Sequence, residues 1–165
     1  MIIILNGPSA IGKSSLGQFL QRERGFIHIE FDNAGVPPDL VEQAGLKQEW
    51  EALYLRSDPS LLVSRFPNPT VITIPGFPIF DRTRPLMNGI KVRYLVGPAW
   101  ACLREFEERE QQGSRKLGVS HWLHNNVRIF HALEQGQIPN EWCVPAFDAN
   151  GNRRNFDEMA NDVLA

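Results

Sequence analysis

The segment Gly7-Pro8-Ser9-Ala10-Ile11-Gly12-Lys13-Ser14 is the most informative part of this 165-residue sequence, because it follows the spacing G-x-x-x-x-G-K-[ST]. The apolar residues 2–5 precede it, and an amphipathic stretch, 15–24, follows it. This order predicts a buried strand, a glycine-rich loop and the start of a helix, which is the context that the motif requires. We therefore predict that a strand–loop–helix unit lies at the centre of the fold.

The chemistry of the loop is that of a phosphate-binding site. Gly7 and Gly12 permit backbone angles that a side chain would hinder, so the loop N–H groups can point inward and form an anion-binding nest. The helix N-terminus adds partial positive charge, Lys13 supplies a cation for the outer phosphates, and the Ser14 hydroxyl can ligate Mg²⁺. Ser15 is either a second hydroxyl near the phosphates or a solvent-facing residue. The predicted phosphate-binding residues are Gly7, Pro8, Ser9, Ala10, Ile11, Gly12, Lys13, Ser14 and Ser15.

The composition argues against several classes of function. A hydrophobic content of 42 % and a charged content of 22 % are typical of one globular domain. The net charge of −2 lacks the basic excess of most nucleic-acid-binding surfaces, and no apolar run is long enough for a signal peptide or a membrane span. Cys102 and Cys143 have no metal-ligand spacing and are expected to be buried thiols. We expect a cytoplasmic protein with neither nucleic-acid nor membrane partners, of undetermined oligomeric state.

Segments typical of strands and of helices alternate along the chain. After residues 2–5, the predicted strands are 26–31, 70–74, 90–96 and 142–145. The predicted helices are 13–23, 99–112, 121–135 and a last one that begins at Asn155, with short helices between 36 and 69. This alternation predicts an α/β fold with a largely parallel sheet, whose ligands bind at the carboxyl ends of the strands.

Asp32 follows the second predicted strand, at the edge where we expect the ligand. Its carboxylate can accept the proton of an acceptor hydroxyl during phosphoryl transfer, hold Mg²⁺ through water, or close the strand as an Asx-turn. No acidic residue follows the third strand, which ends in Thr73-Ile74-Pro75-Gly76. The oxygen ligands of a metal would therefore come from Asp32, from Asp81, or from Ser14 and water alone.

The segment 113–118 is polar, basic and bracketed by glycines, with Arg109 before it and Arg115 within it. Arg109 and Arg115 can close over a triphosphate and neutralise its charge in the transition state. For Arg109, a solvated helix face with acidic neighbours is an equally good interpretation. Arg82 and Arg84, after the third strand, can bind an anionic acceptor.

With these motifs, the chain resembles the small phosphate-loop kinases, in the branch of shikimate kinase, gluconate kinase and the chloramphenicol phosphotransferase-like proteins. The resemblance rests on residues 2–7 running into Gly12-Lys13-Ser14-Ser15, on Asp32, on 94–97 before a helix, and on Arg109 with 113–118. It implies a three-layer P-loop NTPase fold: a five-stranded parallel sheet in the order 2-3-1-4-5, helices on both faces and a short lid, 112–118. It also implies a single domain, 1–165, with an acceptor-side helical insertion at 36–66.

The same resemblance implies an ATP-dependent phosphotransferase that acts on a hydroxyl of a small-molecule acceptor. The catalytic residues would be Lys13, Asp32, Arg115 and Arg109, with Arg115 also binding ATP and with Ser14 and Asp32 at Mg²⁺. Residues 145–152 would lie against adenine. Two alternatives remain: a kinase with a phosphorylated acceptor such as a nucleotide, held by Arg82 and Arg84, or a nucleotide-binding regulatory protein with little turnover.

Overall fold

The computed structural model describes residues 1–31, 45–66, 69–74, 89–113 and 116–165. Its strands are β1 (Ile2–Asn6), β2 (Ile27–Glu30), β3 (Thr70–Thr73), β4 (Ile90–Val96) and β5 (Cys143–Pro145). All neighbouring strands pair in parallel, in the order β2-β3-β1-β4-β5. The class of fold and the strand order that the sequence and the resemblance predicted are therefore confirmed.

The helices cover both faces of this sheet. They are α1 (Lys13–Arg24), α2 (Lys47–Arg56), α3 (Ser60–Arg65), α4 (Ala99–Gln112), α5 (Gly118–Glu134) and α6 (Phe156–Leu164), with a 3-10 turn at Asn140–Trp142. Within the described ranges, none of these helices has the length and apolar character that crossing a membrane requires. The predicted insertion, 36–66, contains α2 and α3, while its residues 36–44 lie outside the described part of the chain.

The central strand β1 divides the core into two apolar clusters. Because side chains of a strand alternate between its faces, Ile3 and Leu5 point to one cluster and Ile2 and Ile4 to the other. The helices contribute several residues to the first cluster, among them Leu16 and Leu20 of α1, Phe106 of α4 and Met159 of α6. The second takes Leu53 of α2, Leu62 of α3 and Ile129 of α5. Burial of β1 on both faces explains its unbroken apolar sequence.

The buried face of α5 includes only some of its apolar residues. Leu123 and Val127 belong to the apolar pattern of 121–135, but their side chains are 51 % and 60 % exposed. The helix instead buries Trp122, Asn126, Ile129 and Ala132. One helix can bury only one stripe along its surface, and here that stripe includes a polar residue, Asn126.

Polar contacts hold both ends of α6. At its N-terminus, Asn155 Oδ1 accepts the N–H of Glu158 at 2.8 Å, so Asn155, where this helix was predicted to begin, is its N-cap residue. At its C-terminus, Lys91 Nζ donates to Leu164 O and Arg93 Nε to Val163 O. These two cations from β4 satisfy carbonyl groups that the end of a helix leaves unpaired.

The half-buried His28 makes the stability of the protein depend on pH. Its Nε2 lies 3.0 Å from Thr73 Oγ1, between β2 and β3. Burial lowers the pKa of His28 below its usual 6.5, although the nearby charge of Glu30 acts in the opposite direction. The folded protein therefore binds this proton less readily than the unfolded chain, and the free energy of unfolding falls as the pH drops below about 6.5.

We predict that His28→Gln reduces this loss of stability on acidification. The free energy of unfolding is measured by urea denaturation at about pH 7.5 and about pH 5.5. This pH range isolates the histidine, because carboxyl groups with lowered pKa values titrate below it. The matched control is His124→Gln, at an exposed position of α5. If His28→Gln and the wild-type protein lost equal stability between the two pH values, the prediction would be wrong.

Candidate functional site

The loop that joins β1 to α1, residues 7–12, lies at the carboxyl end of the central strand. Gly7 has φ +142°, and a Cβ at this position would lie 2.6 Å from Leu95 O on β4. Gly12 has φ +97°, and a Cβ there would lie 2.5 Å from Arg153 Nη1. The backbone angle therefore favours glycine at both positions, and at Gly7 the backbone oxygen of Leu95 also leaves no room for a side chain.

Every backbone carbonyl from Gly7 to Ile11 accepts a hydrogen bond from a side chain. The donors are Lys13 Nζ for Gly7 O and Pro8 O (2.8 and 2.9 Å), Trp122 Nε1 for Ser9 O (3.3 Å), and Arg153 Nη2 and Nη1 for Ala10 O and Ile11 O (3.2 and 2.7 Å). The carbonyl and the N–H of a trans peptide point in opposite directions. Holding the carbonyls therefore also orients the N–H groups.

The N–H groups of Ala10, Gly12 and Ser14 have no hydrogen-bond partner within the described ranges. Ala10 adopts a left-handed conformation, with φ +68°, between residues of ordinary handedness, and such alternation creates an anion-binding nest. Helix α1 has neither a capping side chain nor an acidic residue in its first turn. Its N-terminus is thus available to an anion such as a phosphate group.

The first turn of α1 brings a hydroxyl and a carboxylate together beside this nest. Ser14 Oγ donates a hydrogen bond to Glu30 Oε1, at the end of β2. A hydroxyl and a carboxylate oxygen are ligands that suit Mg²⁺. No group of three or more histidine, cysteine or acidic residues is arranged for metal binding in the part of the chain that the structure describes. Among the described residues, Ser14 and Glu30 are thus the pair that could hold a magnesium ion beside the nest.

The turn after β5 presents Arg153 to the loop. Phe147 and Arg153 pair across this turn, and Asp148 Oδ1 accepts the N–H groups of Asn150 and Asn152. The hydrogen bond from the Asn152 N–H is the main reason why the pKa of Asp148 lies below its usual value. A closed turn of this kind fixes where the arginine emerges.

The guanidinium of Arg153 is held on several sides. It lies 5.3 Å from the ring centroid of Phe147, and its Nη2 donates to Glu105 Oε2 at 2.7 Å. Burial by itself would raise the pKa of the Glu105 carboxyl, but the hydrogen bonds and charges of Arg153 and Arg104 lower it overall. Glu105 therefore stays ionised and anchors Arg153 against the loop.

Glu110 joins the two ends of the segment that was predicted as a lid. Helix α4 ends at Gln112 and α5 begins at Gly118, three residues before its predicted start. The Glu110 carboxylate accepts the Leu117 N–H (2.9 and 2.8 Å) and the Gly118 N–H (2.9 Å). These two backbone donors, Gly118 first, lower the pKa of Glu110. A carboxylate from one helix thus caps the next.

The predicted site residues are distributed as follows. Lys13 and Ser14 border the nest, and Ser15 is exposed on the first turn of α1. Arg109 is exposed on α4, with its guanidinium 5.5 Å from the ring centroid of Phe106, and within the described ranges no hydrogen bond or ion pair joins it to the loop. The remaining predicted residues lie outside the described part of the chain: Asp32, Arg115, Asp81, Arg82 and Arg84.

Sequence reasoning missed Glu30, Asn126 and Arg153. Glu30 carried a signal, because it lies one residue before the end of the predicted strand 26–31, at the edge of the sheet where ligands bind. Asn126 also carried one, since a polar residue at helical spacing between Trp122 and Ile129 interrupts an apolar stripe. The sequence offers no comparable signal for Arg153.

Neither cysteine supplies a reactive thiolate. Cys102 is buried, and this burial raises the pKa of its thiol to about 11. Cys143 is only half-buried, and burial likewise raises its pKa. The expectation of two buried thiols is thus correct for Cys102 and holds in part for Cys143.

The fold of this chain is similar to that of several kinases of known structure. No protein-family model matches the chain, and no curated protein sequence matches it. Solved structures that resemble it include a gluconokinase from Sinorhizobium meliloti 1021, with 16 % identity over 98 % of this chain and 88 % of that one, at a TM-score of 0.53. A second is the shikimate kinase of Bacteroides thetaiotaomicron, with 19 % identity over 99 % of this chain and 94 % of that one, at a TM-score of 0.53. A third is the deoxyadenosine kinase of M. mycoides with bound dATP, with 15 % identity over 100 % of both chains, at a TM-score of 0.54.

We predict that Arg153→Gln weakens the binding of a phosphate-bearing ligand, with ATP as the probe, about tenfold, because Ala10 O and Ile11 O lose the donor that holds them. Isothermal titration calorimetry gives the dissociation constant. The control is Arg154→Gln, whose wild-type side chain contacts Pro145 O and Asp162 and makes no hydrogen bond to the loop. Equal affinities of the two variants for ATP would contradict the prediction.

Proposed function

We propose that this protein is a P-loop kinase that transfers the γ-phosphoryl group of ATP to a hydroxyl of a small molecule. The observation that carries the proposal is the nest of unpartnered N–H groups in the described loop, with Lys13 and the Ser14–Glu30 pair at its border. The fold that the chain shares with kinases named for gluconate, shikimate and deoxyadenosine supports it. Membership of the chloramphenicol phosphotransferase-like branch forms part of the proposal.

In the proposed reaction, the acceptor oxygen bonds to the γ-phosphorus while the bond from this phosphorus to the bridging oxygen of ADP breaks. The hydroxyl proton passes to the carboxylate of Asp32, which follows β2 two residues beyond Glu30. The loop N–H groups and the Lys13 ammonium stabilise the charge on the phosphates. A bound Mg²⁺ would neutralise β- and γ-phosphate oxygens, with Ser14, Glu30 and Asp32 as its candidate ligands on the protein.

Two arginines are proposed to cover the phosphates. Arg115 belongs to the predicted lid, 112–118, and Arg109 lies three residues before its start. The contacts of Glu110 with Leu117 and Gly118 support this role, because they fix the end of the lid from which α5 starts. A lid anchored at its base can close repeatedly to one geometry.

The adenine base is proposed to lie beside the turn after β5, residues 145–152. Two side chains of α4 border this turn: Arg104 donates to Gly151 O at 2.8 Å, and the exposed indole of Trp100 packs against Gly151. The base would therefore find planar groups next to polar backbone atoms, an arrangement common in sites for small molecules.

The acceptor is proposed to bind at the insertion 36–66. In its described part, Trp50 of α2 stacks on Phe31 with ring centroids 4.5 Å apart. Phe31 lies between Glu30 and Asp32 in the sequence. Helix α2 thus packs on the residue that separates the proposed metal ligand from the proposed base, which supports an acceptor-side role for this segment.

We predict that ADP release from ATP and Mg²⁺ is stimulated by one pool in a screen of metabolites, nucleotides and hydroxylated antibiotics. The stimulation is lost in Lys13→Ala, which lacks the ammonium beside the phosphates. In Asp32→Asn, phosphoryl transfer is abolished because the amide cannot accept the proton, while ATP still binds because the loop and Lys13 are unchanged.

The outcomes of this screen separate the alternatives. Stimulation by a phosphorylated acceptor alone indicates a nucleotide-type kinase. Tight ATP binding without stimulated release from any pool indicates a regulatory protein and contradicts the proposal. Unchanged transfer in Asp32→Asn would exclude the role given to Asp32.

We predict that Glu30→Gln raises the Mg²⁺ concentration required for tight ATP binding about tenfold, because the amide replaces a charged oxygen ligand. Calorimetric titration of ATP at several Mg²⁺ concentrations measures this without relying on turnover. Glu23→Gln, on the exposed end of α1, is the control. A Mg²⁺ dependence unchanged by Glu30→Gln would exclude Glu30 as a ligand.

A further inference from the structure

Asn126 is a fully buried polar residue at the centre of α5, and both the oxygen and the nitrogen of its side-chain amide form hydrogen bonds. Its Oδ1 accepts the N–H of Ser9 at 2.8 Å, and its Nδ2 donates to Trp122 O at 2.6 Å. Trp122 Nε1 in turn donates to Ser9 O at 3.3 Å. Helix α5 therefore holds the peptide groups on both sides of Ser9, although 117 positions separate Ser9 from Asn126.

The residue after Ser9 is the strained position of the loop. Ala10 has φ +68°, which L-residues other than glycine, asparagine and aspartate adopt rarely because the Cβ crowds the backbone. The Ser9 carbonyl and the Ala10 N–H belong to one rigid peptide group. Trp122 holds this peptide group at Ser9 O, and Asn126 holds the preceding one at the Ser9 N–H and also contacts Trp122 O. The two side chains together thus set the direction of the Ala10 N–H, one of the unpartnered donors of the nest.

We infer that Asn126 is a positioning residue for phosphate binding: through Ser9 it keeps Ala10 left-handed and the Ala10 N–H directed into the nest. Asn126 lies outside the G-x-x-x-x-G-K-[ST] motif, and its side chain does not have to contact the ligand. This inference rests on the proposed ATP site, but it does not depend on the identity of the acceptor.

The same contacts connect the phosphate loop to the segment between α4 and α5. The first turn of α5 is capped by Glu110, and two turns later the helix carries Asn126. A helix is a stiff element, so the position of its N-terminal end and the position of Asn126 are linked. The orientation of the nest thus depends on a helix that starts where the predicted lid ends.

The test compares Asn126→Ala with Asn125→Ala. Asn125 is a matched control because its Nδ2 also donates to the carbonyl four residues earlier, His121 O at 2.9 Å, while no hydrogen bond joins it to the loop in the described structure. The measurement is the dissociation constant of ATP with Mg²⁺, together with the melting temperature. We expect Asn126→Ala to weaken binding about tenfold and Asn125→Ala to change it less than about twofold.

A second substitution distinguishes positioning from general support of the fold. Ala10→Gly removes the Cβ that disfavours the left-handed conformation, so the loop can adopt this conformation without the hydrogen bond from Ser9 to Asn126. In the Asn126→Ala background, Ala10→Gly should recover most of the lost affinity, about fivefold, without restoring the melting temperature to the same degree. If Asn126 only supported the fold, Ala10→Gly would not restore the affinity for ATP.

Each outcome decides a different point. Unchanged ATP affinity in Asn126→Ala overturns the inference and leaves the proposed function in place. Weaker binding that Ala10→Gly does not rescue overturns it as well, since Asn126 then acts on the fold as a whole. A wild-type protein that binds no ATP overturns the proposed function, and this inference with it.

Discussion

The direction of the peptide groups between Gly7 and Ile11 is the constraint on which the functional site depends. A peptide unit is planar and rigid, so a donor that holds its carbonyl also aims its N–H. Here the donors come from three places in the chain: Lys13 at the start of α1, Trp122 on α5 and Arg153 after β5. An anion nest made of backbone atoms is thus built by side chains from distant elements.

Within the described ranges, three acidic side chains near this loop contact groups other than its unpartnered N–H groups. The Glu105 carboxylate accepts a hydrogen bond from Arg153, and the Glu110 carboxylate accepts hydrogen bonds from the backbone N–H groups at the start of α5. Glu30 instead contacts the Ser14 hydroxyl beside the nest, where an anionic oxygen suits a divalent cation better than a phosphate. The acids therefore divide into two that support the scaffold and one that suits a metal.

The regular elements were predicted closely, and the deviations have physical causes. Strand β4 and helix α4 have the predicted bounds, because their periodicity and the Gly97-Pro98 boundary are local signals. Helix α5 begins earlier than predicted, because its cap comes from Glu110 on the preceding helix rather than from a neighbouring residue. Leu123 and Val127 of the same helix are exposed, since apolar character alone does not reveal which stripe of a helix meets the sheet.

The alternation of apolar segments and the spacing of Gly7, Gly12 and Lys13 were sufficient to predict a parallel α/β sheet with an anion-binding loop at its centre. Both are local properties, set by the backbone within a few residues. The contacts that shape the loop are not local: those of Glu30 with Ser14, Asn126 with Ser9 and Arg153 with Ile11 span 16, 117 and 142 positions. Only packing of the helices on the sheet brings these pairs together, so tertiary structure decided which side chains orient the nest.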